Sequence, residues 1–105
     1  MRHFTPTQLQ EYLSQGAEPL LLDVREPWEF RVCAIPGSQL IPMGQIHAAA
    51  GSLDPGRETV VICHHGIRSR QVAYYLENVG FTNVINLSGG VDAWAREVDP
   101  HMPTY

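Results

Sequence analysis

The chain has 105 residues, of which 44% are hydrophobic and 17% are charged, and its formal net charge at pH 7 is −4. This length predicts a single domain over residues 1–105 with one core. The acidic balance gives no electrostatic reason to expect nucleic acid or an anionic membrane as partner, and no apolar run approaches the roughly 20 residues that a bilayer requires. We therefore expect small molecules or proteins as partners, with no nucleic acid and no membrane.

Two cysteines, Cys33 and Cys63, are too few for a disulfide framework and favour a reducing compartment. The first residues of the chain lack the apolar segment of about 7–15 residues that a secretory signal requires. Both features predict a cytoplasmic protein. No pattern in the sequence indicates a cofactor, so we expect none.

Helical and strand signals alternate from the start of the chain. Residues 5–8 form a capping box with proline at the first helical position, which predicts a helix as far as Gln15. The apolar run at 19–24 lacks alternation and predicts a strand buried on both faces of a parallel sheet. A short helix is expected to begin at 26–30, and the turn residues of 35–42 leave room for at most one small edge strand.

The second half of the chain continues the same alternation. After a short helix at 44–50 and a turn at 54–56, residues 59–63 predict a second buried strand. The following segments are a helix at 69–78 with Val72, Ala73, Leu76 and Val79 on one face, a third strand at 83–87, a helix through Val91, Trp94 and Val98, and an extended tail at 99–105. The core of the domain is therefore expected within about residues 4–98.

Strands that alternate with helices predict a small layered α/β domain, in which sites lie where the chain leaves the carboxyl end of a strand for a helix. Cys63 occupies that position. A tight turn holding Gly66, followed by a helix start near Ser69, would point several backbone N–H groups inward and add the positive end of the helix dipole. Arg68 and Arg70 place positive charge nearby, so the sequence predicts a thiolate nucleophile at Cys63.

Other residues of the same types receive structural interpretations. Cys33 has no glycine turn around it, and we predict that it packs as a small hydrophobic residue. His64 and His65 look like metal ligands, but consecutive residues rarely chelate one ion together and no spaced partners complete a set. We predict no metal site there. Asp23 and Arg25, at the end of the first predicted strand, are expected to pair with each other or with loop backbone.

Four stretches of this sequence together resemble the single-domain rhodaneses. They are Leu21-Leu22-Asp23-Val24-Arg25-Glu26-Pro27-Trp28-Glu29-Phe30, Ile35-Pro36-Gly37-Ser38-Gln39-Leu40-Ile41-Pro42, Cys63-His64-His65-Gly66-Ile67-Arg68-Ser69 and Gly89-Gly90-Val91-Asp92-Ala93-Trp94. The resemblance implies a three-layer α/β domain with a central, mainly parallel sheet of about five strands flanked by helices. The ending from Val91 to Tyr105 also resembles the rhodanese modules appended to sulfur-carrier-activating adenylyltransferases.

Rhodaneses transfer sulfane sulfur through a cysteine persulfide. The resemblance therefore implies that Cys63 takes sulfur from a small anionic donor, thiosulfate or another persulfide, and passes it to cyanide, a thiol or a sulfur-relay protein. The planar fork of Arg68 suits the departing sulfonate; the alternative is a surface arginine paired with an acid. The substrate-binding residues implied by the active-site loop are His64, His65, Gly66, Ile67, Arg68 and Ser69.

Three alternatives to this enzyme remain open. A sulfur carrier that serves a partner protein would use the same cysteine, and a rhodanese-like binding module would use the fold alone. Cysteine-dependent phosphatases of similar fold place one more residue between cysteine and arginine than the four that separate Cys63 from Arg68, so loop length argues against a phosphatase. The chain departs from the rhodanese pattern at Cys33-Ala34, where a glycine and a histidine are usual.

Overall fold

The computed structural model describes all residues from 1 to 105, and its centre is one parallel sheet of five strands. The strand order is β1-β5-β4-β2-β3, so that β4 is the middle strand. The strands are β1 (Arg2–Phe4), β2 (Leu20–Asp23), β3 (Gln39–Leu40), β4 (Thr59–Ile62) and β5 (Val84–Leu87). The helices are α1 (Pro6–Ser14), α2 (Pro27–Val32), α3 (Ile46–Ala49), α4 (Ile67–Asn78) and α5 (Gly90–Glu97), with 3₁₀ turns at Met43–Gln45 and Ala50–Ser52.

The middle strand is buried along its whole length because helices cover both faces of the sheet. Side chains of successive residues point to opposite faces, so Val60 and Ile62 join one core and Val61 joins the other, together with Cys63 just beyond the strand. The first core includes side chains from α1 and α5, and the second includes side chains from α3 and α4. The expected three-layer α/β domain with a five-stranded parallel sheet is confirmed.

The helices lie where the sequence predicts them and differ from the prediction only in their first or last residues. In α1 the Thr5 Oγ1 accepts a 3.2 Å hydrogen bond from the Gln8 N–H, and the Gln8 side chain accepts one of 2.8 Å from the Thr5 N–H, which is the predicted capping box. Helix α4 begins at Ile67, two residues earlier than predicted, and ends at Asn78. Val79, which the sequence assigned to the buried face of that helix, lies just beyond its last residue and is 48% exposed.

Two parts of the chain differ from the sequence-based expectations. Strand β1 was not predicted, because three residues at the sheet edge, paired only with β5, are too few to show alternation. The tail at 99–105 is not simply extended, since the Met102 N–H donates to the Asp99 carbonyl and the Met102 side chain packs into the first core. This turn brings Tyr105 back to the carboxyl end of the sheet, against Trp28 and His64. None of the helices has the length and apolar character needed to cross a membrane.

Candidate active site

Cys63 follows the carboxyl end of β4, the middle strand, and lies between that strand and α4. The ends of β2 and β5 lie on either side of it, so the carboxyl ends of three neighbouring strands are close to this residue. The residue is 1% exposed. In open parallel sheets this edge, where loops leave for helices, is where ligands bind.

Two backbone amides point at the cysteine sulfur. The Gly66 N–H donates to Cys63 Sγ at 3.0 Å and the Ser69 N–H donates at 3.3 Å. Because Gly66 is the N-cap of α4, Ser69 lies in the first turn, and the sulfur accepts a hydrogen bond that a capping side chain would otherwise accept. The positive end of the helix dipole adds to these amides, and both place positive potential at the sulfur.

Glycine is required where the loop turns into the helix. Gly66 has a φ of +93°, in the left-handed region that other residues rarely adopt. A Cβ at this position would also lie 3.0 Å from the backbone nitrogen of Gly89. The turn that aims the amides inward is therefore specified both by conformation and by close packing.

The start of α5 holds the outer side of the same loop. The Val91 N–H donates to the Cys63 carbonyl at 2.9 Å, and the Asp92 N–H donates to the His64 carbonyl at 3.1 Å. A Cβ on Gly90 would collide with both of these carbonyl groups. With its carbonyls bound to α5, the loop keeps its opposite face, which carries the inward amides, towards the sulfur.

A buried polar pair supports the loop from β5. The Ser69 hydroxyl donates to Asn86 Oδ1 at 2.5 Å, and the Cys63 thiol lies 3.3 Å from the same hydroxyl. Both Ser69 and Asn86 are buried. Asn86 was not predicted as a site residue, although an amide side chain between apolar residues of a strand indicates a buried hydrogen-bond network.

Arg68 is paired with an acid, which is the alternative that the sequence left open. Its two terminal nitrogens donate to the two carboxylate oxygens of Glu29 at 2.7 and 2.8 Å. These hydrogen bonds lower the pKa of Glu29 to about 2. They also raise the pKa of Arg68, to which attraction by the Cys63 sulfur contributes a smaller part. Arg68 therefore acts on the Cys63 sulfur only through its charge, because Glu29 binds both of its terminal nitrogens.

Tyr105 joins this ion pair to a second one. Its hydroxyl donates to Glu29 Oε2 at 2.7 Å and accepts from Arg25 Nη1 at 3.0 Å. Burial, together with the hydrogen bond to Glu29, raises the pKa of Tyr105 to about 12. Arg25 is itself bound to Asp23 by charge-assisted hydrogen bonds of 2.8 to 3.1 Å, as the sequence predicted. The role of Tyr105 was missed because the tail was expected to be extended.

The histidines line the outside of the loop. The His64 ring is stacked between His65 and Tyr105, with centroid distances of 3.9 Å to each. Burial and the neighbouring His65 lower the pKa of His64, which favours its neutral form at pH 7. Possible ligand atoms of His64, His65 and Asp92 lie within 4.8 Å of one another, but the Asp92 carboxylate is bound by Arg96. We assign no metal to this cluster.

Ile67 and Cys33, which were also considered from the sequence, have surroundings different from those of the Cys63 sulfur. Ile67 is 62% exposed at the start of α4. Cys33 is buried at the end of α2, where its Sγ lies 3.8 Å from Arg25 Nη1. Both cysteines are free thiols.

The parallel sheet, with a cysteine after its middle strand and two amides at a helix N-terminus directed at the sulfur, defines a class of α/β domain with its candidate site at the carboxyl edge of the sheet. Comparison with known proteins identifies the family within that class. The family model of the rhodanese-like domain matches residues 5–97. The chain therefore belongs to the rhodanese-like domain family.

Named relatives place it among sulfurtransferase domains. It is 36% identical to the thiosulfate sulfurtransferase GlpE of Pseudomonas fluorescens, over 89% of this chain and 84% of that protein. It is also 36% identical to MoeZ of Mycobacterium tuberculosis, named as a probable adenylyltransferase/sulfurtransferase, over 96% of this chain. The crystal structure of a rhodanese-like domain protein from Staphylococcus aureus superposes with a TM-score of 0.85 at 32% identity, covering 93% of this chain and 95% of that one.

Several relatives are much longer than this chain. The chain spans 26% of the length of MoeZ, and between 22% and 36% of three other curated relatives from plants and yeast. The likeness to those proteins therefore concerns one domain of each.

Proposed function

We propose that this chain is a cytoplasmic sulfurtransferase that carries sulfane sulfur as a persulfide on Cys63. The observation that carries the proposal is the pair of amides, from Gly66 and Ser69, aimed at the sulfur. Such donors stabilise a thiolate before the reaction and a persulfide anion after it, without a general base. The sulfurtransferase relatives support the same reaction type.

The reaction consists of two nucleophilic substitutions at sulfur. In the first, the Cys63 thiolate attacks the outer sulfur of the donor, a new S–S bond forms, and the old S–S bond breaks as sulfite or a thiolate leaves with the electron pair. In the second, cyanide or an acceptor thiolate attacks the terminal sulfur, and the Cys63 thiolate is the leaving group. Two half-reactions of this kind give ping-pong kinetics.

The loop residues take different roles in this proposal. Gly66 and Ser69 donate their amides to whichever sulfur carries the charge. Arg68 contributes positive potential from its position on Glu29, and the stacked rings of His64 and His65 lie on the outside of the loop. Ile67, which is exposed, would contact a donor only at the rim of the site.

The direct test compares the two cysteines. The Cys63→Ser variant should lose sulfur transfer from thiosulfate to cyanide, since a hydroxyl cannot replace the thiolate, while keeping its fold. The Cys33→Ser variant is the matched control and should keep turnover within about threefold, because Cys33 lies outside the amide cradle. Turnover by Cys63→Ser at the wild-type rate would contradict the proposal.

A sulfur-carrier role is the second candidate, supported by the likeness to MoeZ. A carrier uses the same Cys63 persulfide but receives it from a protein donor. Fast loading by a cysteine desulfurase together with negligible turnover of small donors would favour the carrier; the reverse would favour the free-standing enzyme. A phosphatase is less well supported, because it would need Arg68 to bind phosphate and Glu29 already binds both terminal nitrogens of that arginine.

A further inference from the structure

The Glu29 carboxylate is fully occupied by hydrogen-bond donors of this chain. Oε1 accepts from Arg68 Nη1 and from the Glu26 N–H, and Oε2 accepts from Arg68 Nη2 and from the Tyr105 hydroxyl. All four distances lie between 2.7 and 3.0 Å. The Glu29 side chain is 5% exposed, so this carboxylate is a fixed part of the structure.

Two other arginines near the loop, Arg25 and Arg96, are also neutralised within the chain. Arg25 is bound to Asp23, and Arg96 at the other side of the loop is bound to Asp92. An incoming anion therefore meets main-chain amides and no unpaired guanidinium among these three arginines. Since a bidentate arginine is the usual device for binding a sulfonate or carboxylate, its occupation by Glu29 has consequences for donor choice.

We infer that Glu29 is a specificity-determining residue: by binding both terminal nitrogens of Arg68, its carboxylate makes the site favour singly charged persulfide donors over the dianion thiosulfate. The inference rests on the proposed function, because it concerns the donor for Cys63. Glu29 takes the place at Arg68 that a substrate sulfonate would otherwise occupy. Tyr105 is a positioning residue that keeps the carboxylate in that place.

The two donors differ in the charge that the site must accept. Thiosulfate and the Cys63 thiolate together carry three negative charges, and they yield a persulfide anion and the sulfite dianion. A small-molecule persulfide anion and the Cys63 thiolate together carry two negative charges, and they yield the Cys63 persulfide anion and the thiolate of the donor. The additional charge on the sulfonate group is the part that a free Arg68 would stabilise.

The test measures second-order rate constants for sulfur loading of the whole protein by mass spectrometry after rapid quenching. The donors are thiosulfate and the persulfide of N-acetylcysteine methyl ester, whose only charge is on its terminal sulfur. Glu29→Gln should raise the ratio of the thiosulfate rate to the persulfide rate by about tenfold, the value of one charge-assisted hydrogen bond. An unchanged ratio in folded Glu29→Gln would overturn the inference.

Asp92→Asn is the matched control. It removes one negative charge beside the same loop and frees Arg96, but it leaves Arg68 bound to Glu29 and keeps the backbone amide that supports the His64 carbonyl. In Asp92→Asn the ratio of the thiosulfate rate to the persulfide rate should change by less than about twofold, because charges acting only at a distance are screened. An increase equal to that of Glu29→Gln would overturn the inference, since it would show a general effect of net charge.

Tyr105→Phe keeps the test decisive if Glu29→Gln does not fold. This change removes one donor to Glu29 and retains the ring that stacks on His64. The ratio should rise by about threefold, and no rise would overturn the inference. Failure of both donors to load wild-type Cys63 would instead overturn the proposed function, and the inference with it.

Discussion

Cys33 and Cys63 are buried to a similar degree, but their sulfur atoms have different neighbours. Cys63 is 1% exposed and Cys33 is 8% exposed, so burial does not distinguish them. The Cys63 sulfur accepts hydrogen bonds from two main-chain amides at the start of a 12-residue helix. The Cys33 sulfur has one long contact, to an arginine whose charge is bound to Asp23.

This difference shows which kind of positive charge remains available to a ligand. An arginine can be neutralised by a carboxylate of the same chain, as Asp23 and Glu29 do for Arg25 and Arg68. Amides at a helix N-terminus have no such partner except the group that lies in front of them. The Cys63 sulfur therefore faces donors that no carboxylate of the chain neutralises, whereas the Cys33 sulfur faces an arginine that is already paired.

The largest effect is expected where α5 supports the Cys63 loop. Gly90→Ala would place a methyl group against the carbonyls of Cys63 and His64, at a φ of +59°. We expect a loss of roughly 3 kcal/mol in the free energy of unfolding and a more than about 100-fold slower loading of Cys63. Chemical denaturation and the loading rate measure the two effects.

Gly51→Ala is the control for that substitution, because nothing lies within 4 Å of a Cβ there. Its free energy of unfolding should stay within about 0.5 kcal/mol of wild type. Wild-type loading by Gly90→Ala would show that the loop does not depend on its contacts with α5.

A pH titration separates the ion-pair network from the amide cradle. Glu29 has a pKa of about 2 in the folded protein and an ordinary value of 4.5 otherwise, so its stabilisation is present above about pH 4.5 and is lost as the pH falls through 2. The difference in free energy of unfolding between wild type and Glu29→Gln should shrink by about 2 kcal/mol from about pH 5 to about pH 2. Urea denaturation at several pH values measures it, and a difference independent of pH would contradict the assignment of Glu29 as an ionised partner of Arg68.

A smaller effect is expected from the buried hydroxyl beside Cys63. Ser69→Ala removes the contact with the sulfur and leaves Asn86 without its hydroxyl donor, but it keeps the backbone amide. Loading should slow by about threefold to tenfold, and the free energy of unfolding should fall by about 1–2 kcal/mol. Ser38→Ala, which removes a hydroxyl bound to the Ile35 carbonyl, is the control and should load at the wild-type rate. Equal slowing in both variants would remove the special role of Ser69.

The backbone arrangement of the site and the Asp23–Arg25 pair were predictable from the sequence, but the side-chain contacts between distant residues were not. The apolar run before Cys63 and the glycine after it are local signals, and they place the sulfur at a strand end before a helix. The partners of Arg68 and Ser69 are Glu29 and Asn86, which lie 39 and 17 residues away in the chain. No local pattern pairs such residues, so the sequence left open whether Arg68 holds a sulfonate or pairs with an acid.

Tyr105 illustrates the same limit at the end of the chain. Prolines in the tail indicate a break in helical structure but do not tell where the chain goes afterwards. The turn at 99–102 depends on Met102 entering the first core, which only the packed structure reveals. Strand β1 is a further example, because its three residues depend on β5 for their definition as a strand.

The most direct test of the central claim is to locate the transferred sulfur. The protein is incubated with thiosulfate, and separately with a small persulfide, and its proteolytic peptides are weighed without reduction. We expect one added sulfur, about 32 Da, on the peptide that contains Cys63 and none on the peptide that contains Cys33. Added sulfur on Cys33, or on neither cysteine with either donor, would contradict the account.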